Sequence, residues 1–384
     1  MSTADLLYGQ VEEDLRSAVR DLLRDRCAWT EVLARCEGEQ PYDLGLWRSL
    51  AGELGVVGLA VPESLGGAGA SARELAVLAE ELGAAVAPVP FLGAVLATTA
   101  LAECARADGG PSASSSGDGA SAAAAELLPQ LLAGRRVGTV AVGMTTVPGA
   151  AFPDAVRARE ASLTGSVRSV VDLEVADAVV VPARDEDGPA LYLVSEPAGA
   201  AVTPLDLTRR FGRWELDGTS GVRIASGELA EWALRRAVLT AAGVLASEQV
   251  GLAQECLDAT VEYAKTRYQF GRAIGSFQAV KHRLADLWSG VSSARAAARS
   301  AADALARGEE DELAVALAQA HTSDLVVLAA EEHLQLHGGI GMTWEHPAHL
   351  YLGRAKSSQL TFGIAERHRA RVAELADLAG PGAR

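Results

Sequence analysis

Two stretches of the chain carry side chains that could hold a phosphate group. Arg267 precedes Phe270 by three residues and a glycine follows, while Gln335 precedes the pair Gly338 and Gly339 by three residues. A guanidinium or an amide beside backbone that glycine leaves open can cradle a pyrophosphate, because both groups donate hydrogen bonds to its oxygens. The same residues also fit two helical hairpins in which glycine only turns the chain. Neither stretch is a P-loop or a Rossmann fingerprint, so the residues alone leave both interpretations open.

The two stretches, in this order and about 65 residues apart, resemble the C-terminal helical domain of the acyl-CoA dehydrogenase family. The likeness extends over nearly the whole chain and is strongest over residues 242–356. In that family, Arg-x-x-Phe-Gly and Gln-x-x-Gly-Gly-x-Gly motifs bind FAD across a subunit interface. The resemblance therefore implies FAD contacts for five residues, which are Arg267, Phe270, Gln335, Gly338 and Gly339.

The resemblance also locates the family's catalytic base. Family members remove the α-proton of an acyl thioester with a glutamate and pass the β-hydride to the flavin, and a desolvated glutamate can have the near-neutral pKa that this needs. The register set by Ala355-Lys356, Gln359 and Gly363 places Phe362 at the usual position of the base. Ala241 stands at the position that a minority of the family uses. Neither side chain can accept a proton.

Two carboxylates near these positions could replace the missing base. Glu248 lies seven residues after Ala241, hence on the same helix face and about 10 Å along it. Glu366 lies about one helical turn beyond Phe362. Each is explained more simply as a surface or inter-helix salt-bridge residue, so the catalytic residue stays unknown. His368 is expected to be a solvated helix residue.

Two flavin-covering segments of the family are altered here. The first is Thr-Glu-Pro-Gly-Ala-Gly-Ser-Asp in the family, and residues 146–153 keep Thr-x-Pro-Gly-Ala but lack the Glu, Ser and Asp. The second is Trp-Ile-Thr in the family and Ser169-Val170-Val171 here, without the aromatic ring and the threonine. We expect the flavin ring to lose stacking and hydroxyl contacts. FAD is therefore expected to be shared across a subunit interface or, alternatively, absent.

The composition disfavours several classes of partner and location. A formal charge of −16 argues against nucleic acid and anionic membranes as partners. The four cysteines have no metal-like spacing, so reduced thiols and no metal site are expected. The N-terminus lacks a signal pattern and no apolar run approaches a bilayer span, which predicts a soluble cytoplasmic protein.

The order of predicted elements gives a mainly α protein with an inserted β domain. Residues 1–134 are predicted to form an N-terminal helical domain with a flexible Gly/Ser/Ala/Asp-rich insertion at 106–125. The β-branched runs in residues 135–226 predict a small antiparallel β-barrel or sandwich. Residues 227–384 are predicted to form a four-helix bundle. The resemblance implies the same arrangement.

The bundle is predicted from the absence of proline between Pro204 and Pro347, which leaves room for long helices. The predicted helices span 228–270, 277–306, 310–336 and 348–378. Bundles this rich in alanine usually bury a further face against another subunit, so a homodimer or tetramer is expected.

Three functions follow from these observations. The first is a subunit of an acyl-CoA dehydrogenase that acts on an acyl-CoA or acyl-carrier-protein thioester, with the base supplied by a homologous partner. Some bacterial family members form such heterotetramers, and the segment 367–375 resembles that branch. The second is a homo-oligomer doing other flavin chemistry on an acyl thioester or using an unusual base, and the third is an inactive scaffold. If Phe362 alone disables the site, Phe362→Glu should restore some desaturation.

Overall fold

Helices form both ends of the chain and a sheet forms the middle in the computed structural model, which describes residues 6–106 and 120–378. A capping box is present at Ser71, since the Ser71 and Glu74 side chains pair with nearby backbone N–H groups. Most of the predicted flexible insertion, residues 107–119, lies outside the described residues, and residues 120–125 begin a helix. The N-terminal helices are α1 (Gln10–Arg26), α2 (Trp29–Cys36), α3 (Leu44–Arg48), α4 (Ala72–Ala84), α5 (Phe91–Arg106) and α6 (Ala120–Leu132).

The middle of the chain forms one eight-stranded sheet with the order β6-β7-β3-β2-β4-β5-β8, to which β1 adds beside β4. Its strands are β1 (Gly138–Val140), β2 (Val156–Arg159), β3 (Ser162–Val171), β4 (Ala178–Asp185), β5 (Gly188–Ser195), β6 (Ala200–Ala201), β7 (Phe211–Ser220) and β8 (Val222–Ser226). The expectation of a purely antiparallel domain needs correction, because β1 and β2 both run parallel to β4. Neither is joined to β4 by a hairpin, so their directions need not alternate.

The strand β4 is buried on both faces, which explains its continuous apolar sequence. Ala178 and Val180 belong to the large core that also contains the helices, whereas Val179 and Val181 belong to a second core on the other face of the sheet. Successive side chains of a strand point to opposite faces, so one run of valines serves both cores.

The C-terminal helices are α7 (Gly227–Thr266), α8 (Gln278–Arg307), α9 (Asp311–His337), α10 (Ala348–Leu360) and α11 (Ala365–Leu375), with a short hairpin of β9 (Tyr268–Gln269) and β10 (Arg272–Ala273) after α7. The first three long helices agree with the prediction to within a few residues. A single fourth helix over 348–378 is wrong, since the chain breaks between α10 and α11. Phe362 and Gly363 have φ angles of 60° and 104°, and the Phe362 N–H bonds to the Met144 carbonyl instead of a helical one. A left-handed backbone cannot continue an α-helix.

Helix α7 crosses α4 at very close range, and this crossing fixes the buried middle of α7. A Cβ atom at Gly251 would overlap the backbone carbonyl of Glu80 on α4, so only glycine fits there. The same buried section of α7 contains Ala241 and Glu248. Packing against α4 therefore places both residues inside the molecule.

One helical segment, Asp311–Met342, is long and apolar enough to meet a membrane-span criterion, contrary to the expectation that none would be. Of its most apolar window, 56% is buried inside the structure. The larger part of this window therefore packs in the bundle, as a core helix does, although Leu317 and Leu328 of the same helix are exposed.

Candidate functional site

The Arg-x-x-Phe-Gly motif forms the hairpin that follows α7. Phe270 and the glycine after it have φ angles of 53° and 79° and make a two-residue turn between β9 and β10. The Phe270 side chain is 91% exposed, and its ring meets Phe277 edge-on at 6.3 Å. The Arg267 side chain is also exposed and has no hydrogen-bond or ion-pair partner among the described residues. An unpartnered cation beside an exposed aromatic ring is available to another molecule.

The Gln-x-x-Gly-Gly motif ends α9, and its glutamine and both glycines are exposed while His337 between them is buried. Gln335, Gly338 and Gly339 all face solvent. Gly338 has φ of 65°, which explains the glycine there, but Gly339 does not have a positive φ. A Cβ atom at Gly339 would meet nothing within 4 Å, so packing within this chain does not require glycine either. Close approach of another molecule would explain the residue.

The structure brings these two motifs together at one end of the bundle. The Tyr263 hydroxyl, near the end of α7, donates to the His337 carbonyl at 3.4 Å, and the two rings are 4.3 Å apart. Because Tyr263 lies one turn before Arg267 and His337 lies two residues after Gln335, the five predicted cofactor residues share one exposed end. The sequence could predict their types but not this juxtaposition.

A buried residue occupies the predicted position of the base, and a loop of the same chain covers it. Phe362 is 2% exposed, and its N–H donates to the Met144 carbonyl at 2.6 Å. A Cβ atom at the following residue, Gly363, would overlap the Val147 side chain. The loop that contains Met144 and Val147 therefore packs directly on the segment where the family places its base. A cavity of about 290 Å³ lies beyond this loop, between residues 146–153 and α7, and Phe362 does not line it.

The counterpart of the second flavin-covering segment is part of the protein core. Val170 and Val171 are buried in β3, each in one of the two cores of the sheet. Ser169 has a left-handed φ of 56°, and its carbonyl accepts from the Met144 N–H at 2.9 Å. These residues hold the loop at Met144.

Glu248 lies in a buried ion-pair network and not in a cleft. Arg354 Nε donates to Glu248 Oε1 at 2.9 Å, and Arg209 Nη2 makes a short hydrogen bond to Oε2. Asp206 lies 3.8 Å from Arg354, so two carboxylates face two guanidinium groups. Burial acts to raise the pKa of Glu248, but the two guanidinium groups outweigh it and the pKa is lowered. A carboxylate held ionised on both oxygens is poorly suited to take a proton from a substrate.

Sequence reasoning missed the two arginines of this network. Arg209 comes from the segment before β7 and Arg354 from α10, so the network ties the sheet domain to α7 and α10. A glutamate on an otherwise apolar helix face was the available signal, because a buried carboxylate requires a charged partner. The partners lie 39 and 106 residues away, which the sequence does not indicate.

The other three positions singled out from the sequence, Glu366, His368 and Ala241, lie in different environments. The Glu366 side chain is exposed and lies 3.4 Å from Arg369, one turn along α11. His368 is buried, which corrects the expectation of a solvated residue. Burial lowers the pKa of His368 although the carbonyls of Phe362 and Gly363 oppose this, and its Nε2 has no hydrogen-bond partner among the described residues. Ala241 is buried in the core.

Comparison with known proteins agrees with the fold and with the family resemblance. Residues 228–376 match the family model of the acyl-CoA dehydrogenase C-terminal domain, and residues 10–111 match that of the N-terminal domain. Acyl-CoA dehydrogenase IpdE2 of Mycobacterium tuberculosis is 35% identical over 344 residues, which cover 90% of each chain. The ChsE4-ChsE5 complex of the same species contains a chain with a TM-score of 0.82 and 29% identity, covering 98% of this chain and 100% of that one. PigA, solved as an FAD complex, shares the fold at a TM-score of 0.81 and 20% identity, with 98% and 100% coverage.

Proposed function

Because the chain belongs to the acyl-CoA dehydrogenase family, we propose that it is the non-catalytic subunit of a hetero-oligomeric acyl-CoA dehydrogenase. In this proposal it completes the FAD site of a homologous subunit, which supplies the base for α,β-desaturation of an acyl thioester. One contrast carries the proposal. The motif residues that face outward are present and exposed, whereas the position of the base is closed by the chain's own loop.

The outward residues fit the pyrophosphate of an FAD held mainly by another subunit. Arg267 would neutralise phosphate charge, and Gln335 would donate an amide hydrogen bond. Gly338 and Gly339 leave backbone open for close approach, and Phe270 would cover an apolar part of the cofactor. FAD, when bound, supplies the hydride acceptor of the family's reaction. The role of this chain is to bind and orient that group.

The buried segment at Phe362, together with the loop at Met144 that covers it, does not fit a flavin ring or a reacting thioester. Phe362 is buried and hydrogen-bonded through its backbone to the loop at Met144. The nearest alternative carboxylates are engaged elsewhere, with Glu248 bound by two guanidinium groups and Glu366 in solvent beside Arg369. We therefore assign no proton-transfer step to this chain, and the base must come from its partner.

Apolar side chains around the outward motifs support a protein partner. Tyr268 and Phe270 are exposed on the hairpin, and Met342 and Trp344 are exposed after the glycine turn. Large apolar side chains that cluster at the surface typically mark an interaction site. A homologous partner is favoured because the family motif requires the cofactor to contact both subunits at this place. The ChsE4-ChsE5 complex is a solved example of two differently named chains in one assembly.

The test is purification of the tagged chain from its native host, followed by identification of bound chains and measurement of flavin. We expect a homologous acyl-CoA dehydrogenase chain with glutamate at the position of Phe362, and flavin in the complex. Arg267→Ala and Gln335→Ala should each weaken FAD binding about 10- to 100-fold, since a hydrogen bond to a charged group contributes about 1.5–3 kcal/mol. Lys265→Ala is the matched control, because Lys265 is an exposed cation near Arg267 that pairs with Glu262.

Other outcomes would favour the alternative functions. A homo-oligomer that holds one flavin per chain and desaturates thioesters would contradict the proposal and favour a self-sufficient enzyme. A hetero-complex whose flavin content is the same in the wild type, Arg267→Ala and Gln335→Ala would also contradict it, and would favour a scaffold that does not touch the cofactor.

A further inference from the structure

Three histidines converge beside the glycine turn at the end of α9. His333 and His337 lie one turn apart on α9, and His346 approaches them from the segment before α10. Potential ligand nitrogens of all three lie within 4.8 Å of one another. Their ring centroids are separated by 4.3 to 5.4 Å. Two histidines four residues apart on one helix face are a common arrangement for holding a metal ion.

The hydrogen bonds of His333 and His337 fix their tautomers. The Thr260 hydroxyl donates to the Cys256 carbonyl, so His333 Nδ1, 2.9 Å from that hydroxyl, carries the proton and donates to it. His337 Nδ1 lies 2.7 Å from the His333 carbonyl, which can only accept, so this nitrogen is also protonated. Both Nε2 atoms therefore present lone pairs. An oriented second nitrogen is the usual companion of a metal-binding imidazole.

The lone pairs of this cluster outnumber its available donors. His346 Nδ1 lies 3.3 Å from the Ala348 N–H, an arrangement that leaves a single N–H on the His346 ring. One N–H cannot satisfy two acceptors, and His333 Nε2, in a side chain that is 1% exposed, has no partner in the described part of the protein. Leaving a buried polar atom unpaired is unfavourable. A cation at this place would use the free lone pairs.

We propose that His333, His337 and His346 bind one divalent transition-metal ion, with Zn²⁺ as the best match to the three imidazoles and water as the fourth ligand. Imidazole nitrogens favour zinc and its neighbours, whereas magnesium and calcium require oxygen ligands that this cluster lacks. Zinc–nitrogen bonds of about 2.0–2.1 Å place tetrahedral ligands about 3.3 Å apart, so the nitrogens need to close by about 1.5 Å at most. His346 binds either through Nδ1, which already has a lone pair, or through Nε2 after its single proton moves to Nδ1 by exchange with solvent. In the second case the ring stays neutral and Nδ1 gives up the hydrogen bond from the Ala348 N–H.

The cluster can be reached from one side. His346 is half-buried, which leaves a side of the cluster near solvent for entry of the ion and for a bound water. The three proposed ligands come from α9 and the segment before α10. Thr260 links the cluster to α7.

The ion would act as a structural clamp. It would join His346 to α9 and so close the segment that contains the glycine turn, at the same end of the bundle as Tyr263. Without an ion, the same rings would form a packed cluster with Tyr263 and Tyr351, whose rings lie 4.3 Å from His337 and 5.7 Å from His333. The clamp does not depend on flavin or on a partner subunit.

The test uses the full chain after treatment with a chelator and dialysis. Calorimetric titration with zinc chloride should show one ion per chain, zinc should raise the melting temperature, and cobalt(II) should give the visible bands of a tetrahedral site. His346→Ala should weaken zinc binding about 100-fold or more. Thr260→Val, which removes the acceptor for His333 Nδ1, should weaken it about 10- to 100-fold. His321→Ala, an exposed histidine on the same helix, should have no effect.

The metal-free melting curve of each variant shows whether it folds, and His346→Gln replaces His346→Ala if the smaller side chain prevents folding. Wild-type protein that binds no zinc at one equivalent would overturn the proposal. Equal zinc affinity in the wild type and the His346 variant would also overturn it, and either result would leave the packed histidine cluster as the explanation.

Discussion

Replacing Phe362 by glutamate is the most informative single change at the closed catalytic position. The sequence alone predicts that Phe362→Glu restores some desaturation, because it returns a carboxylate to the family's usual site. The structure changes this expectation. The side chain is 2% exposed and belongs to the main hydrophobic core, and the loop at Met144 lies against it. The introduced carboxyl group would therefore be buried without a substrate beside it.

The expected penalty has two parts. Removal of the buried ring loses about 2–3 kcal/mol of apolar burial, and burial of a neutral carboxyl group without a partner costs about 1–3 kcal/mol. The variant should therefore be less stable by about 3–6 kcal/mol at pH 5. Burial raises the pKa of the introduced group above its unfolded value of about 4.3, so stability falls further as the pH rises towards the folded-state pKa, by about 1.4 kcal/mol per pH unit.

Urea unfolding of the wild type, Phe362→Glu and Phe362→Leu at pH 5 and pH 8 measures both parts. Phe362→Leu is the control for lost volume, and it should show a smaller loss that does not depend on pH. Phe362→Glu should be the least stable at pH 8 and should show no desaturase activity when assayed alone. A glutamate variant with wild-type stability, bound flavin and desaturase activity would refute the closed site.

Three further changes test other parts of the structure. Glu248→Gln should lower the free energy of unfolding by about 3–5 kcal/mol, because it leaves two guanidinium groups under-compensated in the core; an unchanged urea midpoint would count against the buried network. Asp172 is buried, which raises its pKa to about 6, so its ionisation makes the fold less stable as the pH rises from about 4 to 6. Asp172→Asn can still pair with Tyr42 and the Gly93 N–H. Its free energy of unfolding should rise by up to about 3 kcal/mol relative to that of the wild type over this pH range. Parallel pH profiles of the two proteins would exclude this explanation. Gly251→Ala should lower the free energy of unfolding by about 1–3 kcal/mol although alanine favours helices, because the added methyl group overlaps the α4 backbone. A raised melting temperature would show that the crossing of α7 and α4 can relax.

The long helices could be predicted from the sequence because their signals are local. A long proline-free stretch is enough to place α7, α8 and α9 to within a few residues. The break after α10 could not be predicted in this way. It depends on a hydrogen bond from Phe362 to Met144, which lies more than two hundred residues earlier in the chain.

Some residues of the candidate site could likewise be predicted from the sequence, and others could not. The outward motif residues are recognisable from residue type and spacing, since the proposed FAD contacts require exposure and glycine more than a particular neighbour. The environment of Glu248 could not be predicted, because its arginine partners come from distant elements and turn a possible base into part of a buried network. The burial of His368 could not be predicted for a related reason. The segment at Phe362 and Gly363 turns α11 so that this residue faces the core.

The absorption spectrum of the purified chain produced alone, recorded together with its mass in solution, tests most directly whether the chain holds a flavin without a partner. The closed position at Phe362 and the exposed motif at Arg267 predict a well-folded, colourless protein that acquires flavin only with its homologous partner. The visible band of oxidised flavin at one equivalent per chain, in a homo-oligomer, would contradict a partner-dependent flavin site.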